Sequence, residues 1–368
     1  MSAKPRLRFD GIQSLRFLAA LLVVVTHATH ATESLDPSTK TWYFGTIGVD
    51  IFFVISGFVM AISTVELTET KGGWKYFGMR RIVRIVPMYW IATTVKLLTL
   101  IVLPTAALNA VVRHSELEPG RTLLSYFFLP SRNASGDVMP VLGVGWTLTF
   151  EMFFYFVFTV ALLVRVKPIW FCAVVLSLCA LGNIARPDEW VPALVYLDPI
   201  LLYFLAGMAV GQWQKDASIR RLIGWMGYIF GVWLFILLAD SKFTGLDGVI
   251  MLRHVSVVAL IIAVVTLEPR FSGRVPKPIV YMGNASYTLY LFHPMVVPIA
   301  PAVLGVIGLR IGGVSVVLSI LASVTAAALI YRFVERPITR YLQERLPYVR
   351  RHAAATLEPG PGPDVAKP

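Results

Sequence analysis

Ten stretches of roughly 20 mostly apolar residues follow one another along this chain, the length at which a helix crosses the hydrocarbon core of a bilayer. They lie at 14–31, 44–63, 82–103, 143–164, 168–185, 193–212, 221–239, 248–267, 279–304 and 313–333. The fifth is short. The ninth is interrupted by Pro294 and Pro298, which a membrane helix tolerates when its neighbours re-satisfy the freed carbonyls. Composition excludes a soluble fold: 57% of the 368 residues are hydrophobic and 15% charged, whereas a soluble domain carries about 25% charged residues to cover its outside. Two cysteines are too few for a disulfide scaffold. The net charge of +12 is scattered between apolar blocks, where a nucleic-acid binder would gather it on one face.

The loops give an independent test, because cytoplasmic loops carry an excess of Lys and Arg. The N-terminal tail, with Lys4, Arg6 and Arg8, reads as inside, and the first loop, with Lys40 against Glu33 and Asp36, as outside. The alternation then continues unbroken. Lys71, Lys75, Arg80 and Arg81 read as inside, and a third loop balanced between Arg113, Arg121, Arg132 and Glu116, Glu118, Asp137 as outside. Arg165 and Lys167, then Lys215, Arg220 and Arg221, then Arg270, Arg274 and Lys277 mark later inside loops. Arg186 with Asp188 and Glu189, and Asp240 with Lys242 and Asp247, fall between them on the outside. The tail with Arg336, Arg340, Arg345, Arg350 and Arg351 returns inside. The expected architecture is an all-α integral membrane protein, a bundle of about ten transmembrane helices with both termini cytoplasmic. Residues 1–13 form a short tail, 14–340 the transmembrane domain, and 341–368 a cytoplasmic tail. That tail is rich in Pro, Gly and Ala from about 347, a composition expected to be disordered. Arg16 inside the first apolar stretch argues against a cleaved signal peptide. No fixed-period repeat supports a repeat-built transporter.

Ionisable residues within a span are expensive, so each is a candidate for function. Arg16 and His27 stand eleven positions apart in GIQSLRFLAALLVVVTHATH. At about 100° and 1.5 Å per residue they share a face, separated by roughly 16 Å along the axis. A cation at the inner mouth and an imidazole deeper on the same stripe suit a channel for an elongated molecule with an anionic head. Asp50 in GVDIFFVISGF, Glu151 in GVGWTLTFEMFFYF and His293 in YTLYLFHP fall in the outer halves of their spans. The same arithmetic sets these three at a depth similar to that of His27, roughly 9–12 Å below the outer surface for the two carboxylates. An imidazole near a carboxylate is the usual arrangement for a general base. On the inner side, GMRRIVRIVPMYW puts Arg81 and Arg84 one turn apart with Arg80 beside them, and guanidinium forks suit phosphate oxygens. The ordinary explanations are a snorkelling Arg, a histidine bonded between helices, and inside-loop arginines that serve topology alone. Glu335 in ERP closes the last span and could pair with a neighbouring Arg or touch a ligand. Arg253 and His254 lie in the outer part of the eighth span, facing an acceptor or marking the interface. Cys172 and Cys179 read as packing residues, and His30, His114 and His352 lack partner spacing. No GxSxG, HExxH, P-loop or cysteine–histidine metal pattern occurs, so no metal is expected. Gly57 is suited to close helix packing.

Taken together, Arg16 with His27, GVDIFFVISGF, RIVRIVP, GWTLTFE, YTLYLFHP and the terminal ERP resemble the membrane acyltransferase-3 family. The likeness is to its exopolysaccharide-modifying O-acyltransferase branch and covers about residues 9–340. The resemblance implies a bacterial inner-membrane enzyme that takes an acyl group from cytoplasmic acyl-CoA and delivers it to a hydroxyl of an extracytoplasmic glycan or glycolipid. It implies no bound cofactor: acyl-CoA, with acetyl as the default, is a co-substrate, and polysaccharide-export machinery is a possible partner. Carried over residue by residue, His27 is the catalytic base and Arg16 helps bind the donor. Arg81 and Arg84 meet the CoA phosphates, and Glu151 matches the acidic position of the fourth span. The roles of Asp50, His293 and Arg253 are open, with His293 and Arg253 on the acceptor side. A proton-coupled transporter or flippase of a lipid-linked sugar, with His27, Asp50 and Glu151 as relay, is the competing class; a purely structural membrane subunit is the third.

Overall fold

A computed structural model describes residues 9–64, 67, 70–102, 118–187, 189–239 and 247–346. The charges at Lys4, Arg6, Arg8, Arg113, Glu116, Asp188, Asp240, Lys242, Arg350 and Arg351, together with His114, His352 and the tail from 347, lie outside the described residues. Among the described residues regular structure is helical, with one isolated bridge between Arg132 and Val138. The long elements are α1 (Asp10–Glu33), α2 (Ile47–Ser63) and α3 (Gly73–Val102). A short α4 (Pro119–Tyr126) precedes α5 (Trp146–Leu163) and α6 (Pro168–Gly182). Then come α7 (Leu202–Asp216), α8 (Ile219–Ala239) and α9 (Asp247–Phe271). Three short helices, α10 (Lys277–Asn284), α11 (Ser286–Val296) and α12 (Ile299–Val306), lead to α13 (Gly312–Ile330) and α14 (Arg336–Glu344). The last helix therefore continues to Glu344, past the expected edge of the membrane domain at 340.

Nine helical stretches among the described residues are long and apolar enough to cross a membrane. They coincide with nine of the ten apolar runs, and the chain is a multi-pass membrane protein. The exception is the sixth run. Its first half winds into two 3-10 turns, Pro192–Leu197 and Pro199–Leu201, leaving 15 residues of α-helix in α7. Pro192 and Pro199 lack the N–H that would continue a helix, and the Asp198 carboxylate caps the Ile200 amide at 2.9 Å. What remains is buried on every side from Leu201 to Gly211. By contrast α8, α9 and α13 present Ile223, Phe235, Val249, Leu252, Val317 and Leu321 outward, as lipid-facing helices do.

The buried α7 lies against α2 at backbone distance. A Cβ placed on Gly57 would sit 1.9 Å from the Phe204 carbonyl oxygen, and one on Gly207 1.9 Å from that of Val54. Two glycines facing each other allow this approach, in which van der Waals contact replaces the hydrophobic drive that lipid cannot supply. The first helix occupies the centre, packed against α2, α9, α10, α11 and α13. Its amino end is capped from another span: the Gly11 amide donates to both Glu268 carboxylate oxygens, each at 3.1 Å, and the Asp10 carboxylate accepts from the Gly273 amide at 3.0 Å. Orphan N–H groups at a helix start need such partners where water is scarce.

Near the chain's end the helix widens into a π-turn over Tyr331–Glu335. Pro337 explains it. The ring cannot donate to the Phe333 carbonyl and crowds it, and an i→i+5 turn opens the room.

Candidate active site

Helix α1 has two apolar faces. Leu15, Ala19 and Val23 belong to the main core, and Ala20, Val24 and Ala28 to a second cluster shared with α10, α11 and α13. At about 100° per residue the Arg16–His27 stripe falls in the seam between these faces. Neither side chain can be swallowed by packing there, and cavities open along the seam.

Three cavities succeed one another. A vestibule open to solvent, with about 1330 Å³ of free space, is lined by Gln13, Arg16, Arg80, Arg84, Glu335 and Arg336, among others. A middle cavity of about 770 Å³ has Arg16, Arg81, Arg84, Glu151, Tyr155 and Tyr290 in its wall. A far chamber of about 1400 Å³ holds His27, Asp50, Lys96, Arg121, Arg253 and Tyr290. Residue numbers advance in step on several helices. Along α1 the lining runs from Gln13 to Arg16 to His27, and along α3 from Arg80 to Arg84 to Lys96. Arg16 and Arg84 are common to the first two cavities, and Val49 and Tyr290 to the last two. The three therefore form one axial series from the arginine-rich end of the bundle to the opposite end.

The arginine end is built to leave guanidinium groups available. Arg81 lies over the Phe77 and Tyr155 rings, 5.5 Å from each centroid, and its buried Nε has no hydrogen-bond partner. Arg80 donates to the Tyr76 hydroxyl at 3.2 Å. Glu151 Oε1 accepts from both Ser56 Oγ at 2.8 Å and the Tyr155 hydroxyl at 2.5 Å. Glu335 accepts from Thr288 Oγ1. Planar, charged forks in a low-dielectric cleft suit phosphate.

The opposite chamber is organised differently. His27 Nδ1 stands 2.9 Å from the Val23 carbonyl. A carbonyl only accepts, so Nδ1 carries the proton and Nε2 is left with the lone pair a base requires. His293 repeats the pattern with the Leu289 carbonyl at 3.1 Å, and its own Nε2 is buried without a partner. The two imidazoles meet edge to face, ring centroids 4.8 Å apart. Asp50 does not orient His27: its carboxylate takes Arg253 Nε at 2.5 Å and the Tyr203 hydroxyl at 3.0 Å. His254 stacks on Trp233 at 4.3 Å and bonds the Tyr203 hydroxyl at 2.7 Å.

The expected shared level of four titratable groups is thus corrected. His27 and Asp50 line the far chamber with His293 buried against His27, whereas Glu151 lines the middle cavity with the arginines. Helix rise gives depth, not the direction in which a side chain turns. Arg253, assigned to the acceptor side, lines the far chamber as the ion-pair partner of Asp50. His30 bonds Thr41 Oγ1 at 3.2 Å near the chain's first loop, and Cys172 and Cys179 are free on α6. Two contributors were missed from sequence. Lys96 is an ionisable residue within an apolar span, a signal that was available. The loop residues Met139 to Val144 also wall the far chamber, and their loop composition carried no such sign.

Residues 9–332 match the family described as an acyltransferase domain. The chain belongs to the acyltransferase-3 family. It is 33% identical over 306 residues to the exopolysaccharide production protein ExoZ of Rhizobium meliloti, covering 80% of this chain and 90% of that one. Nodulation protein 10 of Rhizobium leguminosarum is 25% identical, covering 78% of this chain and 82% of the relative. The peptidoglycan O-acetyltransferase OatA of Listeria monocytogenes is 24% identical over 90% of this chain, which spans only 56% of that longer protein. No solved structure matches the chain. Membership makes the protein a membrane-bound acyltransferase.

Proposed function

We propose that this acyltransferase takes an acyl group, acetyl by default, from acyl-CoA on the cytoplasmic side and transfers it to a hydroxyl of a glycan or glycolipid on the other side. The cavity series carries this reading. An arginine-lined mouth and a histidine-lined chamber are joined by a path whose length, roughly 16 Å between Arg16 and His27 on the helix axis, matches an extended pantetheine arm. The excess of Lys and Arg in the loops at the arginine end supports a cytoplasmic location for that end. The membrane is then a bacterial inner membrane, since acyl-CoA is made in the cytoplasm.

In the reaction, CoA phosphates rest against Arg16, Arg81 and Arg84, and the thioester reaches the far chamber. The acceptor O–H gives its proton to His27 Nε2, and the oxygen attacks the thioester carbonyl. The tetrahedral intermediate collapses, breaking the C–S bond, and the departing CoA sulfur takes the proton back from Nε2. The Val23 carbonyl fixes the tautomer, so no carboxylate is needed to orient the ring. A carrier that relayed protons through His27, Asp50 and Glu151 is disfavoured. Asp50 is occupied by Arg253, and Glu151 lies in another cavity with Ser56 and Tyr155.

The reading is tested with purified protein in lipid nanodiscs, labelled acetyl-CoA and a glycan fraction from the producing cell. Label should move to the glycan, with a mass gain of one acetyl per modified residue. Glycan that crosses a proteoliposome membrane while acetyl-CoA stays intact would contradict it.

A further inference from the structure

The cations of the far chamber exceed what the donor can use. Lys96 sits on α3 twelve residues beyond Arg84, about 18 Å farther along the helix, in the apolar run IATTVKLLTLIV. It is 8% exposed, and it lines the chamber. Among the described residues no carboxylate, hydroxyl or carbonyl pairs with its ammonium. Asp50 is the only carboxylate in the described lining of the chamber, and Arg253 and Tyr203 hold it. The lining thus carries the Lys96 ammonium beside an Asp50 carboxylate already paired with Arg253. A buried ammonium inside a membrane span is costly unless something ionic meets it.

That anion cannot be the donor if, as proposed above, acyl-CoA enters from the arginine end. Its phosphates then stay at Arg16, Arg81 and Arg84, and the acyl thioester that reaches the far chamber is uncharged. We infer that the acceptor brings the negative charge: the far chamber takes a glycan bearing a carboxylate or a phosphate near the acylated hydroxyl, with the Lys96 ammonium as its counter-charge. This rests on the acyl-transfer reading and adds to it the class of acceptor. Lys96 acts by binding, so it governs which acceptor is chosen and leaves proton transfer to His27. An ammonium is a compact point charge that accepts a carboxylate or a phosphate alike, so the two sources are separated by experiment.

Three acceptors are offered to the protein in nanodiscs with acetyl-CoA: an oligosaccharide containing glucuronate, its carboxyl-reduced neutral counterpart, and the neutral glycan carried on a lipid phosphate. The wild type should favour at least one anionic acceptor over the neutral one by about tenfold or more in kcat/KM, the scale of a charged hydrogen bond. Preference for the glucuronate chain identifies a carboxylate, and preference for the lipid-linked chain a phosphate. Lys96→Met should bring that ratio toward one, and Lys96→Arg should retain most of it. The wild-type ratio stands by itself should Lys96→Met not fold. Wild-type protein that consumes acetyl-CoA but favours neither anionic acceptor would overturn this inference alone. A Lys96→Met variant with an unaltered ratio would do the same. Wild-type protein that consumes no acetyl-CoA would overturn the acyl-transfer reading beneath it.

Discussion

The two ends of the cavity series are built on opposite principles. At one end guanidinium groups on α3 are held by aromatic side chains, Arg81 between Phe77 and Tyr155 and Arg80 by the Tyr76 hydroxyl. At the other, an imidazole is fixed by its own backbone, a second imidazole lies against it, and the chamber wall is assembled from α1, α2, α3, α4, α5, α9, α11 and loop residues. The first arrangement suits binding of a ligand whose charges are fixed. The second leaves His27 Nε2 unprotonated at the chamber wall, where a hydroxyl could be activated. On the proposed reading, donor binding and chemistry are separated by roughly 16 Å, about half the hydrocarbon core. Variants at the two ends should therefore fail in different ways.

The largest expected effect lies at the histidine end. His27→Ala should lower kcat for acyl transfer by about 10²- to 10⁴-fold, the range of a lost general base, while equilibrium binding of acetyl-CoA in nanodiscs is unchanged. A fall in binding to match would erase the division of labour. At the arginine end Arg84→Ala should raise KM for acetyl-CoA about tenfold or more, as a charged hydrogen bond is lost, with kcat at saturation nearly kept. Steady-state kinetics with varied donor reads this directly.

The Asp50–Arg253 pair separates structure from chemistry within the far chamber. Arg253→Met leaves Asp50 with Tyr203 alone and should cost about 2 kcal/mol of stability, toward the low side for a broken buried pair, because the Arg253 side chain is 39% exposed. Thermal unfolding in detergent should show a lower Tm. Adding Asp50→Asn should recover most of the loss, since the uncompensated charge is then gone. The smallest effect is expected at Glu151. Glu151→Gln keeps the size and an oxygen that can accept from both Ser56 and Tyr155, as Oε1 does, so kcat should fall only severalfold, far less than in a lost general base. A loss as large as that of His27→Ala would put Glu151 into the proton path and break the comparison.

Much of the fold was legible because lipid imposes a length rule on apolar runs, and nine of the ten runs became helices long enough to span. The sixth misled because Pro192 stands just before the apolar run and Pro199 within it, and hydropathy counts apolarity without asking whether an amide can bond. Within the site, the Arg16–His27 stripe could be read from helix periodicity alone. The meeting of His27 with His293 needed two helices to face each other, which equal depth made plausible and only packing decides. Glu151 went astray for the same reason, since rise along an axis carries no azimuth between helices. The Val23 carbonyl bond to His27 was readable in principle, because an i−4 carbonyl is always within reach of a helical side chain that bends back. The loop wall from Met139 to Val144 was not, since no periodic pattern marks a loop that folds over a chamber.

The most direct measurement follows the acyl end of the donor itself. An acyl-CoA analogue with a photoreactive diazirine in its acyl group is bound to the protein in nanodiscs, irradiated, and the adducts are mapped by mass spectrometry. Labelling should fall on residues around the far chamber, among them Val23, Thr26, His27, Val49 and Tyr290, and be competed away by acetyl-CoA. Adducts confined to the vestibule between Tyr331 and Leu346, or to lipid-facing residues of α8 and α13, would contradict a donor that reaches His27.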